Sequence, residues 1–393
     1  MGSILIGNIG TLVTGDINEP ISRADTIFID EGVFKEIGTA RTTADLVIDA
    51  RRNMVMPGLI DSHVHPSLGD FTPIQNATNW ITNYLHGGVT RMVSAGEVFI
   101  PGLNKEHPDP KIFTALALLT GTCYRNYRPG KVKIEAGTLL AVPGLREADF
   151  DTVAQAGTRL VKFLFYPYGA DPEELERYLG WARDRGLKTK IHSGGVSGPP
   201  GGIAQPVDAN VILNLVRPDI VGHINGGPIP MSLKDIERVI EESDCFVEIC
   251  YCGNHSVTLK TMDMICARNQ LHRVILGTDT PTGTGVTPRA MLRTLAIVAA
   301  TDGMTAEQAI CMATGSPALA HGLDSGIIHV GKPADLLIVG RIKGTIGETP
   351  LEVLRAGNLL GLSMLSIDGQ LIIKGASEQV PPPEIGALVE FEA

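Results

Sequence analysis

Two imidazoles set two residues apart, His63 and His65, close the run PGLIDSHVH at residues 57–65. On a β-strand, positions i and i+2 face the same side, so both rings can reach one metal ion. Three more residues occupy the same kind of position, just past an apolar β-type run: His192 in KIHSGG, His223 in VGHINGG and Asp279 in ILGTDTP. Imidazole and carboxylate are donors that zinc, iron and manganese all accept. A parallel barrel builds a metal site by delivering ligands from the ends of different strands, and this spacing predicts such a site.

The elements that must carry these residues follow from the apolar pattern. Eight strand candidates centre near Leu59, Val93, Ile134, Val161, Ile191, Val221, Val247 and Ile275. Helical stretches such as 172–186, 232–243 and 258–270 lie between most of them, and further helices are expected at 288–300 and 305–321. Strand then helix, eight times over, predicts an α/β fold of the (β/α)8 TIM-barrel type. A doubly wound sheet would carry GxGxxG after its first strand, and the sequence has none there. Residues 3–52 alternate short β-rich runs with Gly and Asp turns, which predicts antiparallel pairing, and residues 326–376 repeat that style, with IDGQ as a hairpin turn. The two ends are expected to meet as one discontinuous β-sandwich (1–55 and 325–393) beside the barrel (56–324). The proline-rich stretch 381–386 is expected to be a wrapping or loose arm.

Composition narrows the function classes. In 393 residues, 44% are hydrophobic and only 19% charged, which suits a large buried core. A net charge of −10 with no dense Lys/Arg block argues against nucleic acid as partner. The six cysteines form no CxxC pair and read as reduced thiols, with the spacing of Cys250 and Cys252 read as chance rather than as a soft-metal pair. No basic leader or membrane-length apolar run is present, so a soluble cytoplasmic protein with no membrane partner is expected.

PGLIDSHVH, the lysine inside LVKFLF, the two later strand-end histidines and the late strand-end aspartate together resemble the amidohydrolase superfamily of metal-dependent hydrolases. HGGVT (86–90), HINGGP (223–228), GTDTPTGTG (277–285) and CMATG (311–315) are similar to its enamidase branch, which opens cyclic enamides. The resemblance runs from about residue 5 to about residue 375. It implies a binuclear centre: His63, His65 and Asp279 on one divalent ion, His192 and His223 on the other, with zinc the first expectation and iron or manganese as alternatives. Between the ions it implies Lys162 as a bridge, its amine carboxylated by carbon dioxide to a carbamate; burial favours the neutral amine that such a reaction needs. The other reading of Lys162 is a side chain that snorkels to solvent. Asp279 is then also the catalytic proton shuttle, taking a proton from a metal-bridging hydroxide and giving it to the departing nitrogen. The sequence has no GxSxG elbow for a serine nucleophile.

The implied function is hydrolysis of a cyclic amide C–N bond in a lactam- or enamide-type small molecule, by a homotetramer. Arg125, Arg128 and Lys133 near the third strand, and Asn225 in HINGGP, are the substrate-binding candidates, the three cations for an anionic group. His255 is the one other histidine that could face the pocket; His86, His107, His272, His321 and His329 read as structural. The Gly-rich loops 194–202 and 280–285 lack GxxxxGK[ST] and read as pocket-shaping loops rather than phosphate cradles. Three alternatives remain: a dipeptidase or N-acyl amino acid hydrolase on the same site, a mononuclear deaminase, for which the HxE pair is missing, and a non-catalytic hydantoinase-like assembly protein, which would have lost metal ligands.

Overall fold

The computed structural model describes residues 2–73, 75–196, 204–227, 229–281 and 285–392. Its centre is a closed ring of parallel strands: Leu59–Val64, Val89–Ser94, Lys133–Glu135 continued by Leu139–Ala141, Leu160–Phe163, Lys188–His192, Ile220–Gly222, Phe246–Cys250 and Val274–Gly277. Every strand centre expected from the sequence lies inside one of these. The third strand is broken, because Gly137 at φ 87° turns the chain; its first piece pairs with the second strand and its second piece with the fourth. Closure joins the eighth strand to the first. Val64 bridges Thr280 in parallel, the Asp279 N–H donates to the His63 carbonyl at 2.7 Å, and the His65 N–H donates to the Thr280 carbonyl at 2.8 Å.

Helices pack outside this ring, some buried on one face and others, such as Ala290–Ala299, on nearly all sides. Pro172–Asp184 buries Leu175, Tyr178, Leu179 and Ala182, spaced i, i+3, i+4, i+7 in the manner of an amphipathic helix. Asp171 caps it by accepting from the Glu174 N–H, with Pro172 in its first turn. The single helix expected at 305–321 is two, Ala306–Met312 and Gly315–His321. A side chain at Gly315 would sit 2.1 Å from the Gly15 carbonyl, so the second helix starts where the chain presses on the N-terminal segment.

Strands from the two chain ends form two further sheets. Thr11–Val13, Ile21–Ser22 and Met54–Pro57 join Leu336–Arg341, Leu360–Ile367 and Gln370–Lys374 in a six-stranded sheet. Ile4–Gly7, Ile27–Asp30, Val33–Ile37 and Leu46–Asp49 join the C-terminal Leu388–Glu392 in a five-stranded one. The period of two along a strand explains why both faces of the six-stranded sheet are apolar. Val55, Leu336 and Ile338 join the core under the five-stranded sheet, while Met54, Met56, Leu337 and Val339 join the barrel core. The purely antiparallel expectation for residues 3–52 is corrected: Ile4–Gly7 runs parallel to Leu46–Asp49, and Thr11–Val13 parallel to Met54–Pro57, because the chain leaves each sheet and returns to it after adding strands to the other or to its far edge. Asp368 and Gly369 make the IDGQ turn at positive φ, and the 381–386 arm leads to a strand paired with Leu46–Asp49.

Candidate active site

His63, His65, Lys162, His192, His223 and Asp279 all line one cavity of about 130 Å³ at the C-terminal ends of the barrel strands. The described residues bring ligand atoms of His63, His65 and Asp279 within 4.8 Å of one another. Backbone geometry aims two of the six. His223 at φ 36° and Asp279 at φ 59° are both left-handed, a conformation costing on the order of 1–3 kcal/mol that persists where surrounding structure enforces it. Two glycines make room: a Cβ on Gly222 would lie 3.0 Å from Lys162 Nζ and 2.9 Å from the Ile191 carbonyl, and one on Gly277 would lie 2.9 Å from the Cβ of His63.

The hydrogen bonds fix which imidazole nitrogen faces the cavity. His65 donates from Nδ1 to the Gly96 carbonyl at 2.6 Å, and His63 from Nδ1 to Glu248 Oε2 at 2.5 Å. Their Nε2 atoms then approach the same oxygen, Asp279 Oδ1, at 3.0 Å from His65 and 3.4 Å from His63. Two imidazole nitrogens and a carboxylate oxygen, all buried and gathered this closely, make a donor set that fits a divalent ion. His192 donates from Nε2 to the Gly195 carbonyl at 3.0 Å and packs against His223 with ring centroids 4.5 Å apart. Buried His223 Nδ1 has no protein partner among the described residues.

Burial and neighbouring cations set the protonation states. Burial, with the Lys162 ammonium, pushes His63 well below the ordinary imidazole range and His192 down to about 4. Burial and the neighbouring His192 depress His223 in the same direction. These imidazoles are therefore neutral at pH 7, the state in which they ligate. For Asp279 burial acts upward, but the charged forms of His63, His65 and His223, with the hydrogen bond to His65, act downward and outweigh it, so within this cluster the carboxylate gives up its proton before the imidazoles do. Burial, then the Lys190 ammonium, brings Lys162 down to about 8.

A matching model of the amidohydrolase family covers residues 54–360, spanning the ring of strands and every residue of this cluster. The chain belongs to the amidohydrolase family. This amidohydrolase is 36% identical over 393 residues to an enamidase of Eubacterium barkeri, covering 99% of this chain and 100% of that one. A crystal structure of enamidase, itself described as an amidohydrolase superfamily member, superposes with a TM-score of 0.91 over 98% of this chain and 100% of that one, at 36% identity. A 5-methylthioadenosine/S-adenosylhomocysteine deaminase of Pyrococcus furiosus is 26% identical, with 84% of this chain and 85% of that one aligned.

Other sequence-derived candidates fall elsewhere in this amidohydrolase. Lys133 lies at the opposite, N-terminal end of its strand, buried between Asp335 at 2.9 Å and Asp368 at 2.5 Å. Arg128 pairs with Asp368 at 3.3 Å, and Arg125 is exposed, bound to the Ala156 carbonyl and Thr122. These three cations tie the barrel to neighbouring segments and do not line the cavity. Asn225 is buried with both ends of its amide used, its Nδ2 donating to the Cys250 carbonyl and Thr258 Oγ1 and its Oδ1 accepting from the Cys250 N–H. It clamps the loop after strand six to strand seven. His255 is exposed at the start of its helix and does not line the cavity. Of the two Gly-rich loops, residues 197–202 and 282–284 lie outside the described set.

Sequence reasoning missed four contributors. Lys105 lines the cavity with no carboxylate paired to it among the described residues, its Nζ 5.7 Å from the Phe99 ring and 5.9 Å from that of Phe165. Cys252 donates its thiol to Asp279 Oδ2 at 3.2 Å; Cys250 beside it acts downward, but burial and the Asp279 charge push this thiol up to about 11, so it stays a donor. The cysteine spacing read as chance thus sets a thiol against the site. Glu248 and Lys190, both fully buried, hold a 2.7 Å ion pair beneath it. Their signal was a charge inside an apolar strand, in FVEIC and KTKIH.

Proposed function

We propose that this chain hydrolyses the C–N bond of a cyclic amide or enamide at a centre of two divalent ions, His63, His65 and Asp279 holding one and His192 and His223 the other. The observation that carries the reading is the convergence of two imidazole Nε2 atoms on one buried carboxylate oxygen inside the barrel-mouth cavity, in a chain alike throughout its length to an enamidase. A divalent ion bound there lowers the pKa of water and polarises the scissile carbonyl. Zinc is the first expectation, with iron or manganese compatible with the same donors.

The chain's own residues supply the rest. Asp279 is ionised and buried, with Oδ1 toward the histidines and Oδ2 held by the Cys252 thiol. It can take a proton from water and hand it to the departing ring nitrogen, general base and then general acid. Lys162, brought down to about 8, offers some neutral amine at neutral pH; reacting with carbon dioxide it would form a carbamate and release a proton, and would then supply an anionic oxygen donor to the divalent ions. Val98, Phe99, Leu164 and Phe165 form an apolar wall that suits a flat ring and excludes bulk water. Lys105, not the Arg125, Arg128 and Lys133 group, is the cation suited to an anionic substituent on that ring. The proposal extends to a homotetramer working in the cytoplasm; no helix among the described residues is long and apolar enough to cross a membrane.

The test is a screen of the metal-loaded protein against lactams, cyclic enamides, cyclic imides, hydantoins, acyl amino acids, dipeptides and aminopurines. Ring opening of a lactam or enamide is expected. Turnover confined to acyl amino acids or dipeptides, or release of ammonia from aminopurines alone, would replace this reading with a peptidase or a deaminase. With the active substrate in hand, Lys105→Met should raise KM about tenfold or more with little change in kcat, since a hydrogen bond to a charged group is worth roughly 1.5–3 kcal/mol.

A further inference from the structure

We propose that Glu248 and Lys190 form a positioning pair beneath the centre, in which the Glu248 carboxylate fixes the tautomer and aim of His63 and ties it to the backbone that carries His223. The inference rests on the reading of His63 as a metal ligand. Glu248 lies on the seventh barrel strand and Lys190 on the fifth, two residues before His192 and so on the same face of its strand. Both are fully buried and neither lines the cavity. Glu248 Oε2 accepts from His63 Nδ1 at 2.5 Å and from the His223 N–H at 3.3 Å. Its Oε1 accepts from Lys190 Nζ and Ser62 Oγ, at 2.7 and 2.6 Å, and Lys190 also donates to the Ser62 carbonyl at 2.7 Å.

Stability alone does not account for this pair. Two ions taken out of water cost several kcal/mol each, and apolar replacements of similar volume are often as stable or more so. What the carboxylate supplies is direction. With the His63 N–H committed to Glu248, its Nε2 lone pair is turned to the cavity, 3.4 Å from Asp279 Oδ1 and 3.5 Å from Lys162 Nζ. A negative partner also makes the imidazole a better donor. Lys190 compensates the charge, so Glu248 stays an acceptor in a dry interior. One carboxylate thereby references a ligand of each proposed metal position.

Two measurements test the pair. In metal-stripped parent protein with 15N-labelled histidine, the His63 resonances, assigned by their loss in His63→Gln, should report the Nδ1–H tautomer; an Nε2–H tautomer overturns the proposal. Removing Glu248 alone strands Lys190, so the informative variant is the neutral Glu248→Leu/Lys190→Met. Its stripped form should melt within a few degrees of the parent, while chelator competition shows zinc affinity down about 10–100-fold, the usual cost of losing such a partner. Zinc affinity within twofold of the parent in that folded variant overturns the proposal. Were His63→Ala also to keep full zinc affinity, the ligand reading itself would fall; loss in His63→Ala with none in the double variant removes only the positioning role.

Discussion

A buried neutral imidazole resists protonation, and this makes acid the condition most damaging to the site. His192 is lowered from an ordinary 6.5 to about 4, so the folded state binds fewer protons than the unfolded chain between those values. Its contribution is complete above pH 6.5 and is lost as pH falls toward 4; two and a half pH units correspond to roughly 3 kcal/mol. Thermal melts of the metal-stripped protein should therefore fall in Tm across that window, and His192→Gln should flatten the fall. Asp279→Asn keeps an oxygen donor but removes the proton acceptor: metal content should drop modestly while kcat falls about 10²–10⁴-fold, the range of general acid–base catalysis. A variant within a few fold of the parent at normal metal loading would remove Asp279 from proton transfer. Lys162→Ala should be inactive and metal-poor, yet partly rescued by short carboxylic acids that fill the gap; full activity without them would take Lys162 out of the centre.

Strand ends position these side chains, and the contacts that hold the strands are where sequence reading succeeded least. The apolar runs showed where each strand lies, and the residue just past each run showed what it presents. His63, His65, His192, His223 and Asp279 could thus be singled out one at a time. Partners chosen by folding carry no such local mark. Glu248 meets His63 across 185 positions and Lys133 meets Asp335 across 202, so the cations of 125–133 looked like free anion binders although each was already committed. Lys133→Met should destabilise the fold by about 3–5 kcal/mol, the cost of breaking a buried pair from one side, read as a lower denaturant midpoint. Arg125→Ala, on the exposed helix end, should leave kcat and KM within a few fold of the parent. Gly222→Ala should cost about 1–3 kcal/mol through overpacking against the Ile191 carbonyl and should lower activity, because Lys162 Nζ must move.

At the scale of the molecule, the chain ends meet as expected, yet they form more than a detached cap. The six-stranded sheet is apolar on both faces because it lies between the five-stranded sheet and the barrel core. The alternation of Met54, Val55 and Met56 holds that information, but a continuous apolar run reads equally well as any buried strand. The arrangement packs the sheet against the barrel core and leaves the C-terminal mouth as the open end, where barrel loops carry chemistry. The account therefore stands on metal at that mouth. Its most direct test is to strip the purified protein of metal completely and assay it against a lactam or enamide that the loaded protein opens. Activity should vanish, and return with close to two equivalents of zinc, iron or manganese per chain; full turnover by the stripped protein would contradict the account.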